Sequence, residues 1–205
     1  MPILVTGFEP FGGMSHNPSQ ALLEHLPPAV GGVPVATACL PVDSRQVEAR
    51  LRELYARHRP RVALHLGLAA NRAQISLERL AVNLLDFDIP DNAGHRAVDQ
   101  PVRPGAPLAL LTRLPVRAIR QRLHQEGIPA QLSLSAGAYL CNQVMYLALT
   151  LLPQEAACGF IHLPPDETLA LQRGGAYVPL ATQARAVVLA LEACLAEHPA
   201  EPPSP

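Results

Sequence analysis

Short apolar runs alternate along this chain with segments whose apolar residues recur at helical spacing, and this alternation constrains the fold more than any other feature. The apolar runs predict strands at residues 3–6, 33–40, 62–66, 131–135 and 159–163, with a further extended segment at 75–85. Helices are predicted at about 17–26, 43–57, 115–125, 141–152 and 179–197. Strands that are joined through helices form right-handed crossovers. The pattern therefore predicts an α/β protein whose mainly parallel sheet is covered by helices on both faces.

The length and net charge of the chain limit the number of its domains and the classes of partner that it can bind. Its 205 residues suit one domain, which we expect to span residues 1–197, and the segment HPAEPPSP at 198–205 is predicted to be a disordered tail. A net charge of −1 without a basic block argues against nucleic-acid binding and a polybasic membrane patch. The first residues have neither the basic nor the long apolar region typical of an export signal, and no apolar stretch is long enough to predict a membrane span. The four dispersed cysteines lack metal-site or disulfide spacing. These features predict a cytoplasmic protein without a metal centre.

The stretch SAGAYLCNQVMYLALTLL at 135–152 places Cys141 between a run of small residues and a helical pattern. In the first turn of a helix, free amide N–H groups and the helix dipole favour negative charge, so we expect the pKa of this thiol to be lowered. The small residues at 135–138 would let a carbonyl group approach backbone N–H groups that form an oxyanion hole. Cys141 is therefore a candidate nucleophile, and a cysteine packed on the inner face of the helix is the alternative.

Two further residues have the chemistry to assist such a nucleophile. His162 ends an apolar strand, so it would face the crevice at the carboxyl ends of the strands. There it could act as a general base. The alternative is a histidine that hydrogen-bonds to the backbone of the following loop. Glu78 lies in an apolar extended segment, where a carboxylate is costly unless it is paired. Its partner is either an arginine, Arg72 or Arg79, or the base histidine, whose tautomer it would fix. The residues alone leave these alternatives open.

Phe8 and Phe11 bracket Glu9 and Pro10 in the loop GFEPFGG, in a chain that has four phenylalanines and no tryptophan. The two rings would wall a pocket for a small flat group, or they would anchor the loop to the core. Besides an enzyme with a cysteine nucleophile, a second hypothesis for this fold class is a nucleoside phosphorylase-like enzyme. The loop GFEPFGG has no Lys or Arg to hold phosphate, which argues against it. A non-catalytic binding protein is the third.

Several motifs, taken in order and spacing, resemble those of one family. VTGFEPFGG, GLAANRAQISLERLAVN, IPDN, GIPA, SAGAYLCN and GFIHLP are similar to motifs of the pyrrolidone-carboxylate peptidases, also called pyroglutamyl peptidase I, a family of cysteine peptidases. The resemblance runs from about Ile3 to the C-terminal helix. It implies a three-layer α/β/α globule with a mainly parallel, mixed central sheet. It also implies an enzyme that removes N-terminal pyroglutamate from peptides and requires no cofactor.

The resemblance assigns roles to individual residues as well. The family uses a Cys–His–Glu triad, which falls on Cys141 in YLCN, His162 in GFIH and Glu78 in ISLER. The family's substrate pocket draws on the N-terminal loop, which implies that the pyroglutamyl ring binds near Phe8, Phe11 and Asn17. The expected partners are N-terminally pyroglutamylated peptides and further copies of the chain, assembled as a tetramer or a dimer.

Overall fold

The computed structural model describes residues 1–197, so the predicted tail at 198–205 lies outside the described residues. The strands in this range are β1 Ile3–Phe8, β2 Ala29–Val30, β3 Val33–Leu40, β4 Val62–Leu68, β5 Ile75–Glu78, β6 Leu80–Val82, β7 Ala109–Leu111, β8 Ala130–Ser133 and β9 Ala157–Leu163. The helices are α1 Pro18–Ala21, α2 Val47–His58, α3 Val116–Gln125, α4 Leu140–Leu151, α5 Glu167–Arg173 and α6 Leu180–Glu197. A 3-10 turn at Leu22–His25 extends α1.

Seven of these strands form one sheet in the order β2-β3-β1-β4-β9-β5-β8. At its centre, β3, β1, β4 and β9 are parallel to one another. Strands β5 and β8 are parallel to each other but antiparallel to β9, and the short edge strand β2 is antiparallel to β3. Strands β6 and β7 pair as a separate antiparallel ribbon. The main sheet is therefore mixed and mainly parallel, which confirms the predicted fold class.

Helices cover both faces of this sheet and complete the three layers. On one face, α2 and α4 pack against strand residues that include Ala63 and Phe160. On the other face, α3 and α6 pack against strand residues that include Leu64 and Ile161. Because neighbouring residues of a strand point to opposite faces, strands covered on both sides are mostly apolar, and each of β4 and β9 has a single histidine among apolar residues and glycine. Within residues 1–197, no helix has the length and apolar character needed to cross a bilayer.

The predicted elements are present, but several differ in extent. Strand β4 continues past its predicted end at residue 66 because it stays paired with β9 as far as Leu68. Strand β1 likewise continues past residue 6, paired with β3 as far as Phe8. The extended segment at 75–85 is divided between β5 in the main sheet and β6 in the ribbon. Asp43 accepts the amide N–H of Arg45 in a turn, so α2 begins at Val47 rather than at residue 43. Strands β2 and β7 and helix α5 add to the predicted elements, and the single-domain organisation of residues 1–197 stays a prediction.

Candidate active site

Cys141 lies in the first turn of α4, and its sulfur packs against the sheet. A Cβ atom built on Gly67 would stand 2.7 Å from the Cys141 Sγ, so the missing side chain of Gly67 makes room for the sulfur. Gly67 in β4 is the register partner of His162 in β9. The sulfur therefore rests over the strand position next to His162.

The N-terminus of α4 supplies hydrogen-bond donors beside this sulfur. The N-cap residue, Tyr139, makes no side-chain cap hydrogen bond, and the first-turn N–H groups of a helix have no partner within it. The preceding segment turns at Gly137, whose φ of 81° lies in the left-handed region that favours glycine. Unpaired N–H groups next to a nucleophile are the donors that an oxyanion hole requires.

A buried carboxylate connects His162 to an arginine. The Nδ1 of His162 lies 2.8 Å from Glu78 Oε1, and the Nη1 of Arg72 donates to the same oxygen at 2.6 Å. Glu78 is fully buried, and His162 is 5% exposed. Of the partners that the sequence left open for Glu78, the structure provides both Arg72 and His162. Because the carboxylate accepts at Nδ1, the Nε2 of His162 is left free for another group.

Burial dominates the electrostatics of the Cys141 thiol. Part of the residue is exposed, yet protein atoms surround the sulfur closely, and burial raises the pKa of Cys141 to about 12. The charge of Glu78 acts in the same direction, whereas the guanidinium of Arg72 and a hydrogen bond from the Cys141 amide lower the pKa by less. The lowered pKa predicted from the helix N-terminus is therefore wrong for the resting protein. The thiol keeps its proton until a base removes it.

A cleft opens beside this thiol. It is lined by Phe8, Phe11, Asn17, Val42, Leu68, Tyr139, Leu140 and Cys141. The structure thus brings the three residues predicted to bind substrate and the predicted nucleophile around one cleft. Sequence reasoning missed the other four lining residues, although the position of Tyr139 and Leu140 immediately before Cys141 was a usable signal.

Hydrogen bonds and ring contacts hold the cleft walls in place. The Glu9 Oε1 accepts from the amide of Val42 at 2.9 Å and from the Nδ2 of Asn92 at 3.0 Å, so this carboxylate ties the N-terminal loop to its neighbours. The ring of Phe11 lies 6.1 Å from that of Tyr139. Phe8 is 3% exposed and belongs to the core, so its ring both anchors the loop and walls the cleft.

The side chain of Asn17 is largely committed to the protein. Its Oδ1 accepts from the amide and the hydroxyl of Ser19, at 3.0 and 2.9 Å, and its Nδ2 donates to the Glu9 carbonyl at 3.0 Å. Since an amide nitrogen carries two hydrogens, one N–H of Asn17 remains for another acceptor. Among residues 1–197, no group of three or more His, Cys, Asp or Glu side chains could hold a metal ion.

Comparison with known proteins shows the family of the chain. A sequence model described as "Pyroglutamyl peptidase" matches residues 1–197. The chain belongs to the pyroglutamyl peptidase family. The resemblance found in the sequence motifs is thereby confirmed. Members of this family are cysteine peptidases, so the chain is a hydrolase.

Relatives within the pyroglutamyl peptidase family match nearly the whole chain. The pyrrolidone-carboxylate peptidase of Levilactobacillus brevis is 39% identical over 203 residues, which are 97% of this chain and 99% of that protein. The crystal structure of the pyrrolidone carboxyl peptidase from Thermus thermophilus gives a TM-score of 0.91 at 58% identity and covers 93% of this chain and 98% of that one. The structure of a mutant pyrrolidone carboxyl peptidase from Pyrococcus furiosus gives a TM-score of 0.92 at 39% identity and covers 96% of this chain and 99% of that one.

Membership of the pyroglutamyl peptidase family decides between the functional hypotheses. It supports a peptidase that hydrolyses N-terminal pyroglutamyl residues, and it sets aside a non-catalytic binding protein. The cleft also argues against the nucleoside phosphorylase-like alternative, because the residues that line it include no Lys or Arg to hold a phosphate.

Proposed function

We propose that the chain is a cysteine exopeptidase that cleaves the amide bond after an N-terminal pyroglutamyl residue, with Cys141 as nucleophile, His162 as base and Glu78 as its orienting carboxylate. One observation carries this proposal. The Cys141 sulfur rests over Gly67, the register partner of His162, while the other side of that histidine is bonded to Glu78. A thiol, an imidazole and a carboxylate in this order are the parts of a cysteine peptidase triad.

The first half-reaction begins with the protonated thiol. Because burial raises the pKa of the Cys141 thiol, the sulfur gives its proton to the Nε2 of His162 as it attacks the substrate carbonyl. Glu78 stabilises the imidazolium that forms, since its charge lies 2.8 Å from Nδ1. The carbonyl oxygen becomes an oxyanion, which the N–H groups at the start of α4 stabilise.

Collapse of the tetrahedral intermediate completes the first half-reaction, and hydrolysis of the acyl-enzyme is the second. His162 gives its proton to the leaving amine, the C–N bond breaks, and a thioester acyl-enzyme remains on Cys141. Water then attacks the thioester after losing a proton to His162. The C–S bond breaks, the thiol regains its proton, and free pyroglutamate leaves the cleft.

The cleft favours a neutral ring over a charged amino terminus. Pyroglutamate is a lactam that has no α-ammonium group, and its flat ring suits contact with Phe8 and Phe11. The remaining N–H of Asn17 and nearby backbone groups would meet the polar edge of the ring. An N-terminal glutamine would bring a charge into this apolar cleft without a partner, which is strongly unfavourable.

The test is paired hydrolysis of pyroglutamyl-aminocoumarin and glutaminyl-aminocoumarin by the parent protein and two cysteine variants. We expect the parent to prefer the pyroglutamyl substrate by about 10⁴-fold in kcat/KM. Cys141→Ala should lose at least about 10⁴-fold in kcat, whereas Cys39→Ala, which removes another partly exposed thiol, should keep parental activity. Near-parental turnover by Cys141→Ala, or equal hydrolysis of both substrates, would reject the proposal.

Assembly and location follow from the family resemblance. We propose that the protein works in the cytoplasm as a tetramer or a dimer of identical chains. Large apolar side chains such as Leu108 and Leu111 are 88% and 64% exposed, and contacts between copies would remove such surface from water. Light scattering on the purified protein measures the number of chains, and a monomer at micromolar concentration would refute the assembly.

A further inference from the structure

The guanidinium of Arg72 joins the catalytic carboxylate to the loop that leads to the nucleophile. Its Nη1 donates to Glu78 Oε1 at 2.6 Å, and its Nη2 donates to the Ser135 carbonyl at 3.0 Å. We propose that Arg72 is a positioning residue, which pairs with the Glu78 carboxylate, fixes the oxygen that faces His162, and ties the segment before Cys141 to that carboxylate. This inference rests on the proposed function, because it assigns Arg72 a role in the same triad.

The state of Glu78 supports this role. The carboxylate is fully buried, and an isolated buried charge is strongly unfavourable. Within the described residues, its Oε2 has no hydrogen-bond partner, so Oε1 carries the bonds to both Arg72 and His162. Without the guanidinium, the ionised form loses its ion-pair partner, and the side chain loses the contact that selects which oxygen faces His162.

The geometry of the guanidinium explains why an arginine serves here. Its planar fork presents several N–H donors in fixed directions, so one side chain can hold a carboxylate and a carbonyl at the same time. The Ser135 carbonyl belongs to the segment at 134–139, which connects β8 to α4. The side chain of Arg72 is 26% exposed, whereas that of Glu78 is fully buried.

Three charged or titratable groups face Glu78 from the elements around it. Arg72 approaches from the segment before β5, His162 from β9 and the Cys141 thiol from the first turn of α4. Replacing Arg72 by a neutral residue removes the positive charge beside the carboxylate that accepts from His162. We therefore expect the acid limb of the activity profile to move to higher pH in that variant.

The experiment compares Arg72→Gln, Arg72→Lys and the control Arg79→Gln. The control removes an arginine next to Glu78 in sequence, but Arg79 lines a different groove, together with Leu111 and Pro115. Three quantities are measured for each protein: kcat/KM for pyroglutamyl-aminocoumarin as a function of pH, the rate of Cys141 alkylation by iodoacetamide, and the thermal unfolding midpoint. Alkylation tests the thiol without any substrate.

We expect Arg72→Gln to lower kcat by about 10²-fold, to shift the acid limb upward by about one pH unit, and to slow alkylation of Cys141 at neutral pH. Arg72→Lys keeps the charge but not the fork, so the acid limb should return toward the parental position while kcat stays reduced. Arg79→Gln should match the parent in all three measurements.

Two results would overturn the role of Arg72. One is an unchanged acid limb and alkylation rate in Arg72→Gln, even when its unfolding midpoint falls, since that pattern describes a residue important only for stability. The other is equal loss in Arg72→Lys and Arg72→Gln at every pH. If the parent instead fails to cleave the pyroglutamyl amide, the proposed function fails, while the alkylation rates still report whether Arg72 acts on the thiol.

Discussion

Replacing Gly67 by alanine tests the arrangement of sulfur and sheet directly. The new Cβ would stand 2.7 Å from the Cys141 Sγ and 2.8 Å from the Cζ of Phe160. Favourable contacts between such atoms need roughly 3.5–4.0 Å, so the sulfur, the ring or both must move by about 1 Å. The φ of Gly67 lies outside the left-handed region, so alanine introduces no backbone strain and the effect comes from this crowding alone.

The displacement predicts a specific loss of activity. A misplacement of about 1 Å at a reacting group costs about 10²-fold in rate, so we expect kcat on pyroglutamyl-aminocoumarin to fall by that factor. Overpacking of the core should also lower the free energy of unfolding by about 1–3 kcal/mol. The matched control is Gly159→Ala in β9, whose Cβ would crowd the side chains of Thr112 and Leu114 rather than the thiol.

The assay measures kcat and urea unfolding for both variants, at a temperature where each is fully folded. Gly159→Ala should be destabilised and keep a kcat near that of the parent. If Gly67→Ala retains the kcat of Gly159→Ala within twofold, the sulfur is not held in place by the space above Gly67. The placement of Cys141 beside His162 would then have to be abandoned.

Two further predictions concern the charges of the site and of the core. Glu78→Gln keeps the size of the side chain but removes the charge that stabilises the imidazolium, so kcat should fall by about 10³–10⁴-fold; a loss below tenfold in steady-state hydrolysis would contradict the role of Glu78. His65 is fully buried between the hydroxyls of Thr6 and Tyr55, and burial lowers the pKa of His65 to about 3 from the 6.5 of an exposed histidine. On acidification, His65 is therefore protonated in the unfolded chain before it is protonated in the folded protein. This difference should lower the free energy of unfolding by roughly 1.4 kcal/mol per pH unit between about pH 6 and pH 3. Urea unfolding at pH 6 and pH 5 should show a smaller decrease in His65→Asn, and equal decreases in both proteins would refute this assignment.

The sequence predicted the layers of the fold because their signals are local. The apolar sequences of β4 and β9 indicate strands that are buried on both faces. Helix α4, which contains Cys141, begins within one residue of its predicted position. The short strands β2 and β7 escaped detection because two or three residues carry too little periodicity. The elevated pKa of the Cys141 thiol also escaped, since a helix N-terminus is visible in a sequence but the desolvation of a side chain is not.

Strand direction is the feature of the site that the sequence did not contain. The sequence predicted a mainly parallel sheet with His162 at the carboxyl ends of its strands, where ligands collect in α/β sheets. In the structure, β8 and β5 run antiparallel to β9, so their carboxyl ends point away from the carboxyl end of β9. A buried strand has the same apolar sequence whether it pairs parallel or antiparallel with its neighbour, so the hydrophobic pattern cannot predict strand direction.

The reversal explains how the carboxylate and the nucleophile reach the histidine from strands of opposite direction. In the register of β5 and β9, Ser76 is opposite His162, and Glu78 lies two residues along on the same face. A diagonal pair of this kind lies within reach of long side chains, and the Glu78 oxygen meets His162 Nδ1 at 2.8 Å. The chain must then return from the end of β8 at Ser133 to bring the start of α4 over Gly67. The segment at 134–139 makes this return, which is why its attachment to Glu78 through one arginine bears on the position of the sulfur.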